Sequence, residues 1–152
     1  MKQALTALLV ATFCFSVAAA TAAPAAKTAV PAKAADTLVI TARITEIPGT
    51  FAPNDLYNYV YIMKYRVLTI VKGKYGDKEI LVGVYNPLIP RKQIKDKMAK
   101  IALGDAEKFE EGAKHKLTLI KPIENVWKDA VEDEYTDSDM TKFYALKVEI
   151  LK

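Results

Sequence analysis

A mainly β fold, built as a small five-stranded barrel, is predicted by three features of the sequence. Several runs of strand length alternate apolar or β-branched residues with polar ones. Blocks of Gly, Pro, Asn and Asp stand between those runs, and only one stretch, Pro90 to Gly104, carries apolar residues at helical spacing.

The first strand is Thr37 to Ile47, with Leu38, Ile40, Ala42 and Ile44 on one face and Thr41, Arg43 and Thr45 on the other. Pro48-Gly49 ends it, and the turn formers Pro53-Asn54-Asp55 make the loop that follows. A second, long strand runs from Tyr57 to Val71, with Tyr57, Tyr59, Tyr61, Met63, Tyr65 and Val67 all at odd positions. After Val67 the apolar residues change phase, which predicts a β-bulge that bends the strand as a small barrel requires. The tyrosines have two readings, as core or as an aromatic binding face, because tyrosine is favoured in strands in either role.

Lys72-Gly73-Lys74-Tyr75-Gly76-Asp77 reads as a hairpin connection; no phosphate-loop pattern surrounds its glycines. The third strand, Glu79 to Asn86, is apolar on both faces and so is expected to be covered on both. Pro87-Leu88-Ile89-Pro90 breaks the sheet. A helix is then expected, with Pro90 in its first turn, Ile94, Met98, Ile101 and Ala102 on its apolar side and Gly104 as terminator, closing one barrel end. Lys114 to Lys121 is the fourth strand, with His115 at the barrel rim. A connection rich in acid, containing Trp127, leads to a fifth strand in which Tyr144, Leu146, Val148 and Ile150 share a face.

Ahead of the barrel, Lys2 precedes an apolar run from Ala4 to Val17 that ends in small residues, the pattern of a secretory signal peptide. Residues 1–22 are therefore read as the signal, 23–35 as an Ala/Pro/Lys linker and 36–152 as the barrel domain, placed in the periplasm or outside the cell with no stable membrane span after cleavage. Cys14, the only cysteine, lies in the signal, which excludes thiol catalysis, disulfides and cysteine zinc sites from the mature chain. The 152 residues carry a formal net charge of +4. The excess is too small to imply nucleic acid, but it is unevenly spread. Arg91 to Lys100 holds five basic residues and Asp96, a net +4, whereas Glu124 to Asp139 holds seven acidic residues and Lys128, a net −6.

Strand, strand, strand, helix, strand, strand is the element order of an oligonucleotide/oligosaccharide-binding (OB) fold, a Greek-key barrel. Ligands ordinarily meet such a barrel on strands two and three and on the loops after strands one and four, here Tyr57 to Asn86, Pro48 to Leu56 and Pro122 to Thr141. The apolar first strand, the Tyr-x-Tyr-x-Val run ending in Val71-Lys72-Gly73, and Phe109-x-x-Gly112 before Lys-Leu-Thr-Leu resemble exported OB modules of the netrin-like (TIMP-like) group. The metalloprotease inhibitors of that group act through an amino-terminal cysteine that the mature chain lacks, so the resemblance implies the fold and not the inhibition. Asn54 to Tyr65 and Asn86 to Pro90 also resemble accessory domains of SGNH-type, alginate-acetyltransferase-like proteins, which modify exported polysaccharide. The Gly-Asp-Ser block of the catalytic members is absent, so this resemblance implies an accessory role.

Chemistry is sparse. A Ser-His-Asp arrangement would have to join His115, the only histidine, to Ser138 beside Asp137 or Asp139, with no nucleophile turn around the serine. Glu132 to Asp139 departs from the EF-hand pattern, and adjacent carboxylates in one loop do not make the opposed pair of a glycosidase. Tyr59, Tyr61, Lys64 and Arg66 mix aromatic and basic character, but the −6 loop at the usual binding edge would repel phosphate, so no nucleic acid is expected. The expectation is a non-enzymatic binding module without cofactor or metal. Its partner would be a saccharide or an envelope protein met by Tyr57, Tyr59, Tyr61, Tyr85 and Trp127, with Asp55, Asp133 and Asp137 as polar contacts. The alternative is a scaffold or accessory subunit of an envelope complex.

Overall fold

The computed structural model describes residues 37–152; the signal peptide and linker expected ahead of them lie outside the described residues. Seven strands form one sheet: β1 Thr37–Glu46, β2 Val60–Lys72, β3 Glu79–Tyr85, β4 Leu103–Gly104, β5 Lys114–Ile120, β6 Val131–Glu132 and β7 Lys142–Ile150. β1, β2, β3, β7 and β5 close into a barrel in that order, β5 pairing back to β1. Every barrel contact is antiparallel except β3 with β7, which is the closure of the OB-like barrel that the element order predicts.

The alternation read from the sequence becomes the barrel interior. Leu38, Ile40, Ala42 and Ile44 of β1 meet Tyr61, Met63 and Tyr65 of β2, joined by Ile80, Val82 and Val84 and by Leu117 and Leu119. Where Thr41 pairs with Thr69 and Ala42 with Val67, Leu68 is left without a partner on β1: this is the bulge expected there. A second bulge follows at Val71, so β2 coils far enough to serve both of its neighbours.

Three expectations are corrected. Among the described residues there is no α-helix between β3 and β5; two 3-10 turns, Arg91–Gln93 and Lys97–Lys100, stand in its place. Lys92 with Lys95 and Lys97 with Lys100 would stack like charges on one helix face, and the Asp96 side chain accepts the Met98 N–H, which starts a separate turn. Ile94, Met98 and Ala102 are nonetheless buried, acting as pegs of a loop rather than as a helix stripe. Gly104 terminates no helix. It lies in β4 against β7, at φ +122°, and an added Cβ would stand 1.8 Å from the Val148 carbonyl oxygen. In β7 the shared face of Tyr144, Leu146, Val148 and Ile150 does not hold, because a bulge at Leu146 shifts the phase: Phe143, Ala145 and Val148 point inward and Tyr144 outward.

His115 stands at the barrel end, as a rim residue would, but it is covered there. It is 1 % exposed, with its Nδ1 3.3 Å from the Tyr65 hydroxyl and its ring 5.5 Å from that of Phe109. Phe109 and Ala106 thus close the barrel end where a helix was expected. Arg91 lies over Phe109 at 5.3 Å and donates to the carbonyls of Asn86 at 2.7 Å and Ile89 at 3.0 Å. Burial pulls its pKa down to about 10.

Candidate functional site

The outer face of β2 and β3 is where an OB barrel ordinarily presents its ligand, and here the chain covers that face itself. Val60, Ile62, Leu81 and Tyr85 form a second core with Ile94, Met98 and Ala102 on one side and Ile123 and Trp127 on the other. Gly83 makes the closure possible: a Cβ there would stand 2.6 Å from Ile123 Cδ1 and 2.7 Å from Val60 Cγ1. Trp127 lies 5.3 Å from the Tyr85 ring, edge to face, and donates its indole N–H to the Ala130 carbonyl at 2.9 Å. Burying rings of this size stabilises the cover by about 1.5–3 kcal/mol each.

Four of the five aromatic residues expected to meet a ligand are therefore core. Tyr59 and Tyr61 face the barrel interior, and Tyr85 and Trp127 fill the outer cluster. Tyr59 is the hub of the loop end: its ring lies 5.7 Å from Tyr57 and 6.5 Å from Tyr61, and its hydroxyl donates to the Ala52 carbonyl at 2.6 Å. Burial, aided by the Glu132 charge, pushes its pKa up to about 12. Phe51 meets Tyr61 edge to face at 4.9 Å, so the rings knit the loop after β1 onto the barrel.

Tyr57 is the exposed member, at 41 %. Its hydroxyl donates to the Glu132 carboxylate, which raises the phenol's pKa and fastens the loop after β1 to the loop after β5. β6 completes that junction, pairing Val131 and Glu132 in parallel with Val60 and Tyr61. Beside Tyr57 stand the exposed Asp55 and Leu56, and across the junction the exposed Val131 and Glu134. Asp133 is turned to structure, accepting from the Tyr135 N–H at 2.9 Å and pairing with Lys142, while Asp137 is exposed further along the loop. Of the expected site residues, Tyr57 is the one tied across the junction, to Glu132, with Asp55 and Leu56 next to it in the chain and Val131 next to Glu132; Leu56, Val131 and Glu132 were missed by sequence reasoning. An exposed apolar residue directly after Pro53-Asn54-Asp55 was the available signal for Leu56.

Asn86 sets the geometry. It is fully buried at φ +37°, a backbone region that Asn tolerates better than most residues. Its Oδ1 accepts the Tyr59 N–H at 3.0 Å and its Nδ2 donates to Asn58 at 2.8 Å, so the end of β3 holds the start of β2 and the residues that carry Tyr57.

His115 and Ser138 have separate partners: Tyr65 and Phe109 for the first, the Met140 N–H for the hydroxyl of the second. Among the described residues, no group of three or more His, Cys, Asp or Glu side chains is placed to hold a metal ion. What the loop end offers is a half-exposed ring of fixed orientation, two aliphatic side chains and several carboxylates on an open surface. Comparison with protein-family models, with curated proteins and with solved structures finds no match to this chain.

Proposed function

We propose that this chain is an exported, non-enzymatic binding module whose ligand is a protein surface with basic character, docked on the rim formed by Asp55, Leu56, Tyr57, Val131 and Glu132. The observation that carries this reading is the self-covered outer face. With Ile94, Met98, Ile123 and Trp127 seated on Val60, Ile62, Leu81 and Tyr85, the chain itself occupies the face on which an extended oligosaccharide or nucleic acid strand would lie. The recognition surface is displaced to the loop end. Exposed Leu56, Tyr57 and Val131 supply apolar contact there, and the neighbouring carboxylates favour Lys or Arg on the partner. Because the Tyr57 to Glu132 bond joins two loops, the surface is ordered before the ligand arrives, which lowers the entropic cost of binding. Such a module fits the accessory role that the resemblance to SGNH-type accessory domains implies.

The experiment is site-specific photo-cross-linking in the cell, with a benzophenone side chain at position 56 and, as control, at position 69 near the far end of β2. One stoichiometric protein adduct at position 56 alone, lost with Tyr57→Ala and with Glu132→Lys, supports the reading. Adducts at both positions, or none at either, overturn it. Binding of the purified protein to a glycan array with loss on Tyr57→Ala, without any protein adduct, would replace the protein surface by a saccharide.

A further inference from the structure

We propose that two copies of this chain pair face to face through the flank that covers β2 and β3, each basic segment lying on the partner's acidic loop. The flank is built of two strips side by side. Residues 88–102 cover one half of the outer cluster and residues 121–140 the other, and Tyr85 joins them: its ring meets Trp127 and its hydroxyl donates to Asp96 at 2.6 Å. The first strip exposes Lys92, Lys95, Lys97 and Lys100, Arg91 having turned inward. The second exposes Glu124, Asp129, Asp137 and Asp139, an acidic excess over its own Lys121 and Lys128. Among the described residues the ion pairs are Lys64 with Glu46, Lys116 and Lys147 with Glu149, and Lys142 with Asp133, so none draws on these charges. The flank is a surface dipole left open within the chain.

A second copy is the occupant that such a pattern fits. A two-fold axis lying in the contact plane, parallel to the strips and between them, sets each positive strip on the partner's negative one, and both halves of the contact are satisfied at once. The basic strip also carries an exposed apolar side chain, Leu88 at 51 %, to seal part of the contact from water. The competing apolar surface, Leu68, Ile70 and Val71 on the last part of β2, does not suit a second copy. It is bordered by Arg66, Lys72 and Lys74, so self-pairing there would set like charges against each other.

The test is sedimentation velocity on the protein as the cell processes it, with two charge-reversal variants whose fold is checked by circular dichroism. One variant changes Lys92, Lys95, Lys97 and Lys100 to Glu; the other changes Glu124, Asp129, Asp137 and Asp139 to Lys. The natural protein should be a dimer at an ionic strength of about 0.01 M, where charges act over about 30 Å, and a monomer at about 1 M, where they act over about 3 Å. Each variant alone should be monomeric at low salt, and an equimolar mixture should restore a dimer, since one variant is negative and the other positive on both strips. A natural protein that stays monomeric at low salt, a dimer that persists in either variant alone, or a mixture that stays monomeric would overturn the proposal. The cross-linking experiment at position 56 reads a different partner, so either idea can fail without the other.

Discussion

Acid should loosen this barrel through one side chain. His115 lies between Tyr65 and Phe109 at the closed end, near Asp105, with Glu107, Lys108 and Lys114 around the shallow depression outside it. Burial pulls its pKa from 6.5 down to about 4, against the weaker upward pull of Asp105. In the unfolded chain the imidazole takes up a proton near pH 6.5; in the folded chain it does so only near pH 4. Between those values the unfolded state binds more protons, so stability is full above 6.5, falls as the pH falls and levels off below about 4. At about 1.4 kcal/mol per pH unit the interval is worth about 3 kcal/mol, a large share of the stability of a domain this size. The assay is urea unfolding at intervals from pH 8 to pH 4 for the natural protein and for His115→Gln, which cannot titrate in this range. The variant should start lower and lose about 3 kcal/mol less over the interval. Since His115 is the only histidine, its imidazole signal in a tag-free NMR titration reports the folded-state pKa directly. Parallel stability curves for the two proteins, or an imidazole that titrates near 6.5 while the chain is folded, would refute the reasoning.

Other perturbations test the cover over β2 and β3. Gly83→Ala puts a methyl group into Ile123 and Val60 and should cost about 1–3 kcal/mol. Faster hydrogen exchange at the Val126 and Trp127 amides, both bonded to the Ile123 carbonyl, should accompany it. Asn86→Ala leaves the buried Tyr59 N–H without its acceptor and puts alanine at positive φ; urea unfolding should show a loss of about 2–4 kcal/mol, with Asn86→Asp, which keeps an acceptor, losing less. Trp127→Ala removes the largest ring of the outer cluster and should cost about 3–5 kcal/mol by the same measurement. A Trp127→Ala protein of undiminished stability would mean that the ring is not core.

The parts of the fold that local chemistry fixes were legible. β1 and β5 follow from alternation bounded by turn formers, β3 from a short run apolar on both faces, and even the bulge at Leu68 left a trace as a change of phase. The errors all lie where a distant segment decides. Ile94, Met98 and Ala102 have the spacing of a helix stripe, but pegs of a loop draped over a sheet satisfy that spacing as well, and beyond the crowded lysines and the Asp96 cap it is the presence of Val60, Ile62 and Leu81 beneath them that tells the two apart. The bulge at Leu146 has no signature within β7, because it is set by register against Leu119 of β5. The tyrosines were ambiguous for a related reason. In a barrel with one wet face, an aromatic residue on a strand marks either the core or a binding surface, whereas here both faces of β3 and of the first half of β2 are dry. One residue carried a hint: Gly83, in the middle of an otherwise bulky strand, marks the place where another part of the chain approaches closely. Reading that glycine as the seat of Ile123 would have moved Tyr85 and Trp127 from the ligand face to the core and left Tyr57 as the one ring open to a partner. Self-coverage also changes what the barrel can recognise. An OB barrel with an open face can hold an extended polymer along two strands; here the chain's own cover occupies the face of Val60, Ile62, Leu81 and Tyr85, and the loop rim and the charges on the cover are what it turns to solvent instead.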